Sequence, residues 1–223
     1  MFSKELNKKL DQYHLLNHPF YKSWNDGKLT REIIKDYAEQ YYQHVKAFPR
    51  YISATHSLCE DLNKRKILLE NLQDEEKNGA DHPTLWKDFA IAIGADGEKI
   101  ECVKKENFTI ELIDNFFNNG RSSYAEGLAS LYTYERQIPE IAETKIKGLK
   151  KHYGVTSEKG LKFFEVHKAA DIYHREACEK LLDDLSPEEQ KKAEISALST
   201  AKYLWNFLSG IAVKHNMPQH VAA

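Results

Sequence analysis

One predicted helical face in the last third of the chain carries residue types that bind metal ions. Its members, spaced by 3, 4, 3, 4 and 3 positions, are Phe164, His167, Asp171, His174, Cys178 and Leu181. This spacing places them on the core-facing side of an amphipathic helix from about Gly160 to Leu182. An ionised aspartate and two imidazoles buried there without partners would cost several kcal/mol in lost hydration. We therefore predict that His167, Asp171 and His174 bind a divalent cation.

Two further helical stripes place polar residues where apolar ones belong. The stripe from Tyr124 to Lys145 includes Glu135, and the stripe from Leu68 to Ile93 includes Glu75 and His82. The complete set of inward metal-binding side chains is Glu75, His82, Glu135, His167, Asp171 and His174. Three carboxylates and three imidazoles suit two first-row metal ions held between helices, and these oxygen and nitrogen ligands favour iron or manganese. Two divalent ions against three carboxylates would leave a positive site open to hydroxide, oxide or dioxygen-derived anions.

A structural interpretation competes with the metal site at each single position, because a lone histidine in a core is more often a hydrogen-bonded packing residue. Three stripes with the same anomaly favour the metal site over that interpretation. The paired Glu-x-x-His motifs of ferritin-like proteins are absent from these stripes, so an iron store is disfavoured.

Composition indicates one compact domain in a reducing compartment. The chain has 223 residues, of which 41% are hydrophobic and 30% charged, and its net charge is -2. Interspersed charges of both signs disfavour a nucleic-acid surface, and the longest apolar runs are too short to cross a membrane. Three separated cysteines make a disulfide framework improbable, which together with a polar start predicts a cytoplasmic protein. We expect a single di-metal domain over 1–217 and a frayed tail over 218–223.

Short breaks divide the chain into about seven helices, and no segment alternates with the period of a strand. Breaks are predicted at Asn25 to Thr30, Gly79 to Pro83, Gly94 to Gly97, Asn118 to Arg121, His152 to Ser157 and Asp184 to Pro187. Ser186 followed by Pro187 and Glu189 is typical of an N-cap with a capping box. The fold class is therefore all-α, an up-and-down helical bundle.

The ligand spacing carries a family resemblance. Glu75-x6-His82, then Glu135, then His167-x3-Asp171-x2-His174 resembles the pattern of the haem-oxygenase-like di-metal oxidases and oxygenases, in the superfamily of thiaminase II and pyrroloquinoline quinone synthase. More specific stretches resemble the branch that contains the chlamydial protein associating with death domains. They are His18-Pro19-Phe20-Tyr21, YQHVKAFPRY from Tyr42 to Tyr51, Asp74 to Asn78, and Tyr132 to Pro139.

The resemblance implies an activity and further site residues. Members of that branch are implicated in making p-aminobenzoate for folate, with one of the enzyme's own tyrosines cleaved for the ring and a lysine giving the nitrogen. The matching positions are Tyr21 and Lys145. It further implies a haem-oxygenase-like bundle, a di-iron or iron and manganese pair, dioxygen, an external reductant, a homodimer and host death-domain proteins as partners. Dioxygen would be activated at the reduced metals, and the oxidised tyrosine would fragment, once per chain.

The residues alone leave several points open. Lys145 continues the inward stripe of Glu135, but in one unbroken helix it would lie about 15 Å further along the axis. Tyr21 fits a core aromatic as well as a reactive group. Alternative functions are a multiple-turnover oxidase acting on an external substrate, a non-enzymatic death-domain interaction module, and haem binding through His14 or His18. Thiaminase chemistry is disfavoured, because it needs a nucleophilic cysteine on the helix that carries Glu135. No cysteine lies between Cys102 and Cys178.

Overall fold

A computed structural model describes residues 1–77, 79 and 81–217, with the side chains of residues 169–172 outside the description. The predicted tail over 218–223 also lies outside the described residues. The α-helices in this part of the chain are α1 (Phe2–Leu10), α2 (Pro19–Asn25), α3 (Arg31–Ser57), α4 (Leu62–Glu75), α5 (His82–Ala92), α6 (Asn107–Ser122), α7 (Tyr124–Glu135), α8 (Ile138–His152), α9 (Glu158–Asp183) and α10 (Pro187–Lys214). Short 3-10 helices lie at Asp11–Tyr13, Leu15–Asn17 and Ile100–Cys102.

Side-chain caps explain where most of the long helices begin. Thr30 accepts a hydrogen bond from the Ile33 amide at the start of α3, and Asp81 accepts one from the Thr84 amide at the start of α5. The predicted capping box of Ser186 is present at the start of α10. Each cap satisfies an amide that the helix itself leaves without a partner, which fixes the first turn.

The predicted all-α bundle is confirmed, although the chain is divided more finely than predicted. The stripe from Tyr124 to Lys145 is not one helix, because α7 ends at Glu135 and α8 begins at Ile138. Pro139 lies in the first turn of α8. Proline has no amide hydrogen for the carbonyl of residue 135, and its ring crowds that carbonyl in a continuous helix, which favours the break observed here.

The helices that carry the predicted site pack around α9. α9 contacts both α5 and α8, while α7 lies between α10, α9 and α3. α3 and α7 approach closely at Gly127, where an added Cβ would clash with the hydroxyl of Thr55. Glycine therefore permits the last turns of α3 to pack closely against the first turn of α7. Across the part of the chain that is described, no helix is long and apolar enough to cross a membrane.

Candidate metal centre

Three of the predicted ligands meet where α4 ends and α5 begins, against the middle of α9. Glu75 is the last residue of α4, and His82 is the first residue of α5. One ligand atom each from Glu75, His82 and His167 lies within 4.8 Å of the others, and all three residues are buried. His82 Nδ1 is 2.7 Å from Glu75 Oε2. A carboxylate and two imidazoles at this separation can share one metal ion.

Hydrogen bonds to the far side of two imidazoles fix their tautomers. His167 Nδ1 is 2.7 Å from the carbonyl oxygen of Phe163, which can only accept, so Nδ1 donates and Nε2 keeps its lone pair. His174 Nε2 is 3.2 Å from a carboxylate oxygen of Asp74, which assigns the proton to Nε2 in the same way. Metal-binding histidines in general donate their other ring N–H to a carbonyl or carboxylate. Both rings have that arrangement.

The electrostatics of Glu75 favour an added cation. Burial raises the pKa of Glu75 to about 8. The residue is only 5% exposed, so its charged form has lost most of its hydration. A divalent cation would restore the carboxylate form, which is the coupling between metal binding and proton release expected of such ligands. The donor set and its electrostatics therefore fit a divalent metal ion.

The other predicted ligands lie around this trio. Glu135 is 2% exposed and accepts a 2.6 Å hydrogen bond from the side-chain amide of Asn71 and a 3.7 Å contact from the Cys178 thiol. His174 is also buried. Within the described residues, neither joins the group within 4.8 Å. The side chain of Asp171 lies outside the described part, and a role for it as a ligand stays a prediction.

Lys145 lies in an aromatic enclosure formed by α2, α3, α5 and α9. Its Nζ donates a 2.6 Å hydrogen bond to the Tyr37 hydroxyl oxygen, and the Tyr37 and Tyr21 hydroxyl oxygens are 3.4 Å apart. Nζ also lies 5.0–5.7 Å from the ring centroids of Tyr21, Tyr37, Tyr41, Trp86 and Phe164.

Burial lowers the pKa of Lys145 well below its usual value. Surrounding rings return about 2 kcal/mol to a desolvated cation, which is less than the several kcal/mol that burying an ion costs. The neutral amine is therefore favoured, and its lone pair is available for reaction.

One small cavity lies between the lysine and one histidine of the metal-binding trio. The cavity has a volume of about 10 Å³, room for roughly one water molecule, and both Lys145 and His167 line it. Tyr41, Tyr134 and Trp86 form part of the same wall. One unbroken helix would place Lys145 about 15 Å along the axis from Glu135. The break between α7 and α8 removes that constraint, and Lys145 lines the cavity.

Sequence reasoning assigned no role to several residues that complete this region. Tyr37 joins Tyr21 to Lys145, Tyr41 and Tyr134 line the cavity, and Asn71 contacts Glu135. The only sequence signal for Asn71 is a polar side chain one helical turn before Glu75, on the same face.

The alternative of haem binding loses one candidate ligand. His18 is buried, and its Nδ1 accepts a hydrogen bond from the Phe20 amide as the N-cap of α2. Its Nε2 lies 3.0 Å from the Ser209 hydroxyl oxygen. Nδ1 therefore caps α2 and Nε2 links it to α10, so both ring nitrogens are engaged.

Comparison with known proteins agrees with this architecture. The TENA/THI-4/PQQC family model matches residues 3–214. A 4-aminobenzoate synthase of Chlamydia muridarum is 38% identical over 209 residues, covering 93% of this chain and 88% of that protein. A 4-aminobenzoate synthase of Nitrosomonas europaea is 38% identical over 225 residues, covering 94% and 90%.

Solved structures support the fold independently. A domain of unknown function with a haem-oxygenase-like fold from Shewanella denitrificans has a TM-score of 0.79 at 19% identity, covering 99% of this chain and 94% of that chain. The predicted haem-oxygenase-like bundle is confirmed.

Proposed function

This chain belongs to the TENA/THI-4/PQQC family, and we propose that it is an enzyme that forms 4-aminobenzoate with dioxygen at a pair of divalent metal ions. The relatives that carry this name match almost the whole chain. The stretches in which the resemblance is close contain Tyr21 and two of the predicted ligands, Glu75 and Glu135. A third predicted ligand, His82, follows one of these stretches by four positions.

The aromatic ring of the product comes from Tyr21. A tyrosine side chain already has the para arrangement of the product, with Cβ opposite the phenol oxygen. Its conversion needs cleavage of the Cα–Cβ bond, oxidation of Cβ to the carboxylate carbon by dioxygen, and replacement of the phenol oxygen, which leaves as water, by the lysine nitrogen. Release of that nitrogen from the lysine needs the Cε–Nζ bond to break, with dioxygen oxidising Cε to an aldehyde. Tyr21 is 2% exposed, and its hydroxyl oxygen is 3.4 Å from that of Tyr37. An enclosed phenol of this kind can be oxidised without competing reactions with water.

The nitrogen of the product comes from Lys145. Its amine lies 5.7 Å from the Tyr21 ring centroid, and burial holds it in the neutral, nucleophilic form. Tyr37 lies between the two groups and contacts both through its hydroxyl. It can pass a proton between the Tyr21 phenol and the amine, and its two contacts hold both side chains in position.

The metal ions would be held by Glu75, His82, Glu135, His167, Asp171 and His174. When bound, iron with iron or iron with manganese would supply the redox chemistry that reduces dioxygen, using electrons from an external reductant. The protein residues fix the ligand tautomers through Phe163 and Asp74.

The observation that carries the proposal is the position of Lys145, which lines one cavity with the predicted ligand His167 and lies against the ring of Tyr21. The volume of that cavity, about 10 Å³, supports an internal substrate, since an external aromatic molecule would not fit. Each chain would then form at most one molecule of product. A homodimer, a cytoplasmic location and death-domain partners stay predictions.

Isotope labelling tests this function. The full chain is produced with ring-labelled tyrosine and with lysine labelled at the side-chain nitrogen, loaded with Fe(II) and Mn(II), reduced and exposed to dioxygen. We expect 4-aminobenzoate that carries both labels, at no more than one molecule per chain, and peptides that have lost the Tyr21 side chain. Tyr21→Phe should bind metal but form no product, whereas Tyr51→Phe, a change to another buried tyrosine, should behave as the wild type. Unlabelled product or several turnovers per chain would establish an external substrate.

A further inference from the structure

We propose that Asn71 is a positioning residue that holds the carboxylate of Glu135 for metal binding, with the thiol of Cys178 as a weaker second donor. This inference rests on the proposed function, because Glu135 is one of its predicted ligands. It assigns a role to two residues that the ligand pattern does not include.

The contact between Asn71 and Glu135 joins two helices at the site. Asn71 lies on α4 one turn before Glu75, and Glu135 is the last residue of α7. The Asn71 side-chain amide donates a 2.6 Å hydrogen bond to Glu135 Oε1. Asn71 is 3% exposed and Glu135 is 2% exposed. A hydrogen bond to a buried carboxylate is about twice as strong as a neutral one. It therefore ties the ligand on α7 to the helix that supplies Glu75.

The position of Glu135 explains why it needs such support. α7 ends at this residue because Pro139 prevents the helix from continuing, so the carboxylate is carried by the last turn. The Cys178 thiol lies 3.7 Å from the other carboxylate oxygen, Oε2, and a thiol is a weak donor. Both oxygens of Glu135 thus face a donor from a neighbouring helix.

The oxygen of the Asn71 side-chain amide takes no part in the contact with Glu135. Asn71 Oδ1 is buried and has no hydrogen-bond partner among the described residues. Turning the amide over would not help, because Oδ1 would then face a carboxylate oxygen at the 2.6 Å distance. A buried acceptor without a partner costs free energy unless a donor is added. The amide oxygen can therefore accept a hydrogen bond from a group that a ligand of this site would supply.

Metal affinity provides the test. Mn(II) is titrated into the metal-free full chain under anaerobic conditions, and helical content and melting temperature are recorded for the same samples. We expect Asn71→Ala and Asn71→Leu to weaken Mn(II) binding by about 10–100-fold, the usual effect of losing a residue that orients a ligand. Leucine has a similar shape, so it keeps the packing if alanine prevents folding. Cys178→Ser, which retains a donor, should stay close to the wild type.

A matched control and a double-mutant cycle separate positioning from general stability. Asn115 is also buried, and its side-chain amide donates a 2.9 Å hydrogen bond to Thr200 Oγ1. Neither residue is one of the predicted ligands. Asn115→Ala should lower the melting temperature but leave Mn(II) affinity unchanged. In a Glu135→Gln background, Asn71→Leu should cause no further loss, because Asn71 acts through the carboxylate.

The outcomes distinguish this inference from the function on which it rests. Wild-type Mn(II) affinity in both Asn71 variants, or an undiminished further loss in the Glu135→Gln background, would overturn the positioning role and leave the proposed function intact. Failure of the wild type itself to bind metal would overturn both.

Discussion

Lys145 Nζ lies 2.6 Å from the hydroxyl oxygen of Tyr37, although 108 positions separate the two residues in the sequence. The same hydroxyl oxygen is 3.4 Å from that of Tyr21. Burial raises the pKa of Tyr37 well above its usual value and lowers that of Lys145, so both groups are held uncharged. A neutral phenol between a second phenol and an amine can transfer protons in either direction.

Tyr37→Phe should therefore reduce 4-aminobenzoate formation more than tenfold, on the order of a lost general acid–base group. The ring and its packing remain, so metal content and melting temperature should change little. Product measured by mass spectrometry after one exposure to dioxygen provides the comparison with the wild type. Undiminished product would show that Tyr21 and Lys145 react without the Tyr37 hydroxyl.

Replacing Lys145 should abolish the product without loss of metal. Methionine has a similar length and no amine, and arginine introduces a permanent charge and has no transferable primary amine. Lys145→Met should fold well, since the native amine is already held neutral by burial. Lys147→Arg on the same helix, where the lysine side chain is 74% exposed, is the control and should form product normally. Normal yield from either Lys145 variant would remove this residue from the chemistry.

Each of His167→Ala, Asp171→Ala and His174→Ala should lower metal content by more than about tenfold, because removal of a ligand leaves its neighbours unsatisfied. Helical content should remain, as the apolar residues of α9 still pack against α5 and α8. His56→Ala, at a partly exposed histidine, should leave metal content unchanged. Elemental analysis of the purified proteins decides the matter, and normal occupancy in all three ligand variants would contradict the metal site.

His44 should make the metal-free protein sensitive to acid. The ring is fully buried among aromatic side chains, including Tyr41 and Tyr134, and neither nitrogen has a hydrogen-bond partner in the described residues. Burial lowers the pKa of His44 to about 3. Between pH 6.5 and about pH 3 the His44 imidazole is therefore protonated in the unfolded chain but not in the folded chain. The free energy of unfolding consequently decreases as the pH falls through this range.

The variant His44→Phe removes this dependence and keeps a ring in the cluster. The substitution changes the free energy of unfolding at both pH 5 and pH 8, and the change at pH 5 should be more favourable by about 2 kcal/mol. At pH 8 the imidazole of the wild type is neutral in both the folded and the unfolded state. Urea unfolding of wild type and variant at the two pH values gives the difference directly. An equal effect of the substitution at both values would show that His44 is not buried as a neutral base.

The sequence by itself determined the helical class, the positions of most breaks and the inward direction of the polar side chains. Period and capping are local properties, since they depend on residues within a few positions of one another. His167 and His174 could therefore be assigned to one face of α9, and Ser186 to the start of α10. The expected break at Asn118 to Arg121 was displaced to Ser123, because the helix continues through Gly120.

Only the tertiary structure decided which inward side chains meet. Period identifies the face of a helix but not the residue of another helix that lies opposite it. Glu75 and His82 reach His167 because α4 ends and α5 begins beside α9. Lys145 reaches Tyr37 because α8 is a separate helix from α7, and Asn71 reaches Glu135 across a distance of 64 residues in the chain. These contacts depend on how whole helices pack, which is set by the sum of many apolar contacts rather than by any local motif.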